Sequence, residues 1–363
     1  GICYERYIPY AEILGWDDGV KIAKAKVLQY ISTFDIYTEK EALTDKVLVG
    51  TNFDGLSRGS TPNETMILVY LEFGDTNFTW VENTLQQALT KGKTVELALN
   101  LPGEGEQVAS VMKSESYLLK LFKLLKIYSK VDVLLRFGAE FNIWSKQADP
   151  DEFINAFRYV SDLAKQNTTN VKMVWSVNQV STWNINMDDY YPGDEYVDYV
   201  GVSAYAQKYF LGRNDWSEFD RFNEIVFLTG DSADPVKALT EVVTHYGSKK
   251  PIIIAEGGVS HYIRTLNEDA TDWALINLKR MYHYIPMVYP QVKLIAYFDR
   301  SMPNETNEYS LSKNKRLADE YNKLVTLPHF YGNIKYQRLD DTLTIEQKPQ
   351  AVHSYIHIFK HNS

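Results

Sequence analysis

"PIIIAEGG" (residues 251–258) sets three isoleucines in a row before a carboxylate, Glu256, and two glycines. An apolar run of this length reads as a strand buried on both faces, as in parallel sheets. The glycine pair is where such a strand is expected to end. An acid at the exit of a buried strand is costly unless it has partners, so Glu256 calls for a chemical reason.

Working outward, the same kind of run recurs. It is found in "KVLVGTNFDG" (46–55), "MILVYLEFGD" (66–75), "TVELALNLPG" (94–103) and "VDVLLRFGAE" (131–140). It continues in "VKMVWSVN" (171–178), "VDYVGVSAY" (197–205), the opening stretch and "VKLIAYFDR" (292–300), eight runs in all. Most of the gaps carry helical periodicity, as in "WVENTLQQALTKG" and "SYLLKLFKLLKIYSK". "DPDEFINAFRYVSDLAKQN" opens with Asp149 or Asp151 as N-cap and a proline in the first turn. The gap at 56–65 is too short for a helix, so the first unit is irregular. Eight strands alternating with helices predict an α/β fold, a closed (β/α)8 TIM barrel, over residues 46–327. A doubly wound sheet would more often bring a glycine-rich phosphate loop after its first strand, and "GTNFDG" lacks that spacing. Residues 1–45 read as an N-terminal extension packed on the barrel. Residues 328–363 alternate apolar and polar residues and read as a short β-rich appendage.

Composition narrows the ligand. A net charge of −9 over 363 residues argues against a basic nucleic-acid or membrane-surface face. Cys3 is the one cysteine, which excludes an internal disulfide and a thiolate zinc site. The histidines, His245, His261 and His283 among them, show no metal-ligand spacing. No cofactor is expected. No stretch is long and apolar enough to span a bilayer. The chain begins at Gly1, which reads as a mature or excised form, and a secreted or cell-surface location is expected. With 26 Tyr and 7 Trp, the chain has the flat rings that line sugar-binding clefts, although a tyrosine-rich core would give the same composition.

Strand ends carry the chemistry in such a barrel. The fourth run ends at Glu140 and the seventh at Glu256. Two carboxylates across the mouth suit glycoside hydrolysis, one protonating the leaving oxygen and the other attacking or directing water. Other strand ends add Asn52, Asp54, Glu72, Asp75, Asn100, Trp175, Asn178, Tyr205 and Asp299. Alternation puts Arg136, Gly138 and Glu140 on one side, where the guanidinium would help keep a carboxylate ionised. Taken singly, each acid could equally be a cap or a loop ion pair, and Trp175 and Tyr205 could be packing residues.

The segment 131–322 resembles glycoside hydrolase family 26, a clan A family of retaining β-glycanases that includes endo-mannanases. "LLRFGAEFNIW" resembles its fourth-strand motif. "VKMVWSVN" and "YYPGDEYVDYVGVSAY" resemble its fifth and sixth strands, "PIIIAEGG" its nucleophile strand, and "AYFDRSMPNETNEYSLSKNKRLADEYNKLV" its last strand and helix. The resemblance implies Glu140 as acid/base, Glu256 as nucleophile and Tyr205 as the nucleophile's hydrogen-bond partner. Trp144, Trp175 and Asn178 are implied in sugar subsites, and Arg136, Asn142 and Phe298 complete the expected binding set. The implied partner is a β-linked polysaccharide or oligosaccharide, with additional modules possible in a longer protein. Two positions depart from the family: Ala139 stands where a histidine usually precedes the acid/base, and Phe298 or Tyr297 where a tryptophan floor is common. Ala139 motivates a rival reading, a carbohydrate-binding, wall-associated barrel without turnover. A phosphate-binding barrel is a third, drawing on the glycines of "AEGGVSHY".

Overall fold

The computed structural model describes residues 15, 18–19, 21–22, 47–52, 63–101, 106–144, 149–179, 185–208, 235–327 and 329–330. Eight strands close into one parallel barrel. They are β1 (Leu48–Asn52), β2 (Met66–Glu72), β3 (Thr94–Asn100), β4 (Val133–Phe137), β5 (Val171–Asn178), β6 (Tyr199–Ala206), β7 (Ile252–Val259) and β8 (Val292–Tyr297). Each pairs with its chain neighbour, and β1 pairs with β8 to close the ring. The (β/α)8 expectation therefore holds. Six of the eight strands fall inside the apolar runs, and β6 and β7 each run one residue further, to Ala206 and Val259.

The runs are continuous in sequence because the strands are covered on both faces. One face fills the interior with Leu48, Met66, Leu68, Leu134, Val174, Ile253 and Leu294. The other packs outward on the helices through Val95, Leu97, Val133, Leu135, Ile252 and Ile254, among others. The helix Pro150–Asn167 starts as expected: Asp149 accepts from the amides of Asp151 and Glu152, with proline at the first turn. The helix Thr79–Lys91 stops at Gly92, whose φ of 66° is left-handed. Among the described residues, the β5–β6 connection carries only a 3-10 turn, Met187–Tyr190.

The end of β7 differs from expectation. The strand runs on through Gly257 and Gly258 to Val259. Gly257 is there for close approach: a Cβ would lie 2.5 Å from the Ala204 carbonyl oxygen on β6. The glycines are thus part of the sheet and form no phosphate-cradling turn. The expected N-terminal extension and C-terminal appendage lie almost wholly outside the described residues. From the latter, His329 and Phe330 sit beside β1, with Val47 N–H donating to the His329 carbonyl at 2.7 Å. No helix among the described residues is long and apolar enough to cross a membrane.

Candidate active site

β7 does not alternate evenly. Ile253 and Ala255 both face the barrel interior, so strict alternation would send Glu256 outward to the helices. A β-bulge prevents this. On β6, Val202 and Ser203 are consecutive, but they pair with Ile254 and Glu256, leaving Ala255 as the extra residue. The register against β8 shifts at the same place. The bulge turns the carboxylate inward, which is a recognised use of bulges beside functional sites.

Three donors converge on that carboxylate. Tyr70 Oη donates to Oε2 at 2.9 Å, Arg136 Nη1 to Oε2 at 2.9 Å, and Tyr205 Oη to Oε1 at 2.5 Å. An ionised carboxylate only accepts, so this arrangement is the hydrogen-bond complement of an anion. Burial, and then the charge of Glu256, push the Tyr70 and Tyr205 phenols well above their usual range, so both remain donors.

Arg136 is 1% exposed. Its Nε donates to Ser176 Oγ at 3.0 Å and its Nη2 to Ser203 Oγ at 2.6 Å. Burial alone would loosen its proton. The acids Glu256, Glu96 and Glu140 outweigh that and raise its pKa. Arg136 was expected to bind substrate; enclosed this way, it holds Glu256 instead.

Glu140 arrives by a different route. β4 ends at Phe137, and the chain then turns through Gly138 (φ 60°) and Glu140 (φ 57°), both left-handed. Alternation along the strand does not extend to Glu140. The turn is pinned by Gly138 N–H on the Leu99 carbonyl (3.0 Å) and Glu140 N–H on the Ser176 carbonyl (3.1 Å). A left-handed glutamate is uncommon and costs energy, so the surrounding bonds must hold it. Asn178 Nδ2 donates to Glu140 Oε1 at 2.9 Å. Glu140, Asn178, Tyr70, Tyr205, Glu256 and Phe298 are all partly exposed, unlike the strands beneath them. Phe298 lies edge-on to both Tyr70 and Tyr205, with ring centres 6.4 and 6.2 Å away.

Two further residues of the expected binding set are structural. Trp175 is completely buried; its indole donates to the Tyr190 carbonyl at 3.1 Å, and its ring packs on Phe141, Tyr191 and Tyr246. Its neighbours Val174 and Ser176 face inward, so Trp175 faces the helices and lines no subsite. Asn142 is also enclosed, and its amide exchanges two bonds with the Asn178 backbone (2.7 and 2.8 Å). It orients Asn178 rather than a ligand. Trp144 closes the one-turn helix Phe141–Trp144, and its side chain lies outside the described residues, as does Asp54.

The remaining strand-end groups serve the scaffold. Asp299 accepts from Ser310 and Leu311, Asn52 accepts from the Asp299 amide, Asn100 donates to Glu72, and Asp75 caps Asn77. A separate cavity of about 470 Å³ beyond β7 and β8 is lined by His261, Arg264, Asp269, Glu308 and Lys313. Arg264 is tied there to Glu308, and Asp269 to Thr271. Among the described residues, no group of three side chains could hold a metal ion.

Tyr70 and Glu96 were not singled out from the sequence. Tyr70 lies within the apolar run "MILVYLE", where a tyrosine reads as one more buried ring. Its usable signal is parity: it shares a strand face with the inward-pointing Met66 and Leu68. Glu96 had a plainer signal, a charged residue inside "TVELALN".

The family model described as Glycosyl hydrolase family 26 matches residues 128–285. A curated relative, Endoglucanase H of Acetivibrio thermocellus, is 28% identical over 197 residues, covering 50% of this chain and 20% of its own length. The chain therefore aligns with about a fifth of that relative. Among solved structures, a GH26 beta-mannanase from Bacteroides ovatus superposes with a TM-score of 0.53 at 15% identity, covering 88% of this chain and 99% of the other. A modular endo-beta-1,4-mannanase from Cellulomonas fimi gives 0.57 at 12% identity, over 88% and 78%. At these identities the superpositions speak for the fold. The resemblance read in the sequence therefore holds over residues 128–285, the stretch that is similar to glycosyl hydrolase family 26.

Proposed function

We propose that this family 26 barrel is a retaining glycoside hydrolase that cuts a β-linked polysaccharide of mannan or glucan type. The observation that carries the reading is the unequal treatment of two acids on one rim. Glu256 is gripped by Tyr70, Arg136 and Tyr205, while Glu140 meets the Asn178 amide. In the proposed double displacement, Glu256 attacks the anomeric carbon while Glu140 gives its proton to the departing oxygen. Water then enters with Glu140 as base, and the sugar leaves with its configuration retained. Fixed donors on Glu256 aim its attacking oxygen and restrict its rotation. The relatives name the two glycans to try first, since one is an endoglucanase and two are β-mannanases. A secreted or cell-surface location and further modules in the natural protein belong to the same proposal.

The test begins with mannan and mixed-linkage β-glucan and measures new reducing ends. Glu256→Ala then abolishes turnover, and azide partly restores it as an inverted glycosyl azide. Glu140→Ala, given an aryl glycoside with a good leaving group, yields a retained glycosyl azide. Reversed stereochemistry, or a wild-type rate for Glu140→Ala on polysaccharide, would overturn the assignment. Ala139 favours a second reading, a barrel that binds glycan without turnover. Glycan binding with no reducing ends from the wild type selects it.

A further inference from the structure

Glu96 is a fully buried acid that the proposed reaction does not use. It lies on β3 between Leu68 of β2 and Leu134 of β4, which belong to the apolar filling of the barrel. Both of its carboxyl oxygens are buried and neither has a hydrogen-bond partner. Leaving such a group unpaired is expensive, and native interiors rarely tolerate it without a reason.

The register supplies a reason. Arg136 lies two residues beyond Leu134 on the adjacent strand, on the same inward side and one layer nearer the mouth. The guanidinium has five N–H donors, and three bonds occupy it: to Ser176, Ser203 and Glu256. Arg136 thus has unused donors on the same inward side as the unused acceptors of Glu96, one layer away on the adjacent strand. Arg136 also dominates the favourable electrostatics at Glu96, where burial holds the carboxyl protonated, well above the usual carboxylate range.

We infer that Glu96 is a positioning residue, the reserve acceptor that takes up Arg136 when Glu256 becomes an ester. The inference rests on the double displacement proposed above. In its first half the bond from the anomeric carbon to the leaving oxygen breaks and a bond to Glu256 forms. The proton of Glu140 departs with the leaving group. Glu256 thereby gives up its charge, and a guanidinium that is 1% exposed loses its one charged hydrogen-bond partner. The neutral Glu96 carboxyl offers its C=O to an Arg136 N–H. No proton moves and no bond to Glu96 forms. Arg136 stays in place for the second half, when Glu256 must leave as an anion again.

Two measurements test this. In a crystal structure of Glu256→Ala, an Arg136 nitrogen is expected within about 2.9 Å of a Glu96 oxygen. An Arg136 left on its two serines, with Glu96 still unpaired, overturns the inference without any substrate. In single-turnover and mass-spectrometric assays with an activated aryl β-glycoside, Glu96→Leu and Glu96→Met should form the glycosyl-enzyme at the wild-type rate. They should hydrolyse it about 10-fold faster, the equivalent of roughly one hydrogen bond, because the lost bond stabilises the intermediate and not the transition states on either side. Glu96→Gln, which keeps an acceptor oxygen, should restore the wild-type split. Equal changes in both steps, or no faster hydrolysis, count against it. A wild type that forms no Glu256-dependent glycosyl-enzyme refutes the proposed function instead, and the Glu256→Ala structure still decides the role of Glu96.

Discussion

Arg136 and Glu256 are 120 positions apart and meet at 2.9 Å, the guanidinium 1% and the carboxylate 14% exposed. Breaking a buried pair by removing one partner typically costs about 3–5 kcal/mol, because the other charge is left uncompensated. The partial exposure of Glu256 places Arg136→Met near the low end, about 3 kcal/mol. Arg136→Lys restores the charge but cannot reach both serines and the acid with one planar fork. Denaturant unfolding should therefore rank the wild type above Lys and Lys above Met, with hydrolysis lost in both variants.

Tyr70 and Tyr205 hold opposite oxygens of the same carboxylate. A hydrogen bond to a charged group contributes about 1.5–3 kcal/mol, so Tyr70→Phe and Tyr205→Phe should each slow glycosylation about 10- to 100-fold. Because both grip one group, the double variant should lose less than the product of the two single losses. Strictly multiplicative effects in a double-mutant cycle would show that the two phenols act independently.

Trp175 gives a prediction of the opposite kind. Its ring is enclosed by Phe141, Tyr191 and Tyr246 away from the rim. Trp175→Ala should cost about 3–5 kcal/mol of stability through the cavity it leaves. At a temperature where the variant is still folded, KM for glycan should stay within a few-fold of wild type. A large KM increase with unchanged stability would return Trp175 to the binding cleft.

Glu96 predicts a pH dependence. Burial raises its folded-state pKa, whereas in the unfolded chain it titrates near about 4.3. Between those values the folded protein binds a proton that the unfolded chain has released. The group's contribution is full below about pH 4.3 and is lost as pH rises from there through the folded-state value. Glu96→Gln cannot ionise, so the stability difference, variant minus wild type, should grow with pH above about 4.3. Unfolding free energies at matched salt from pH 4 to 8 measure it, and a flat difference would mean Glu96 is ionised in the fold.

The barrel was legible because parallel strands covered on both faces leave continuous apolar runs, such as "IIIA" and "VLL", which length and flanking residues separate from helices. Glu140 and Glu256 were legible as the acids that close buried apolar runs, although β4 stops short of Glu140 and β7 continues past Glu256 to Val259. Side-chain direction was less so. Applying parity within β5 would have assigned Trp175 to the helix side, opposite Val174 and Ser176. Parity could not have placed Glu140, which lies past the strand in a left-handed turn, nor Glu256, which the bulge reverses. Asn142 and Arg136 were found near the site, but whether a polar side chain meets ligand or scaffold depends on partners from β5, β6 and β7.

The bulge at Ala255 makes the aim of Glu256 a matter of counting. The ladder absorbs one surplus residue just ahead of the carboxylate, and so the acid keeps its inward register. Deleting Ala255 would place the glutamate directly after Ile254, opposite Ser203, where regular alternation alone would turn it inward. An extra residue inserted beside Ala255 would instead carry the acid toward the helices unless the ladder bulged a second time. The stretch should therefore tolerate the loss of one residue better than the gain of one.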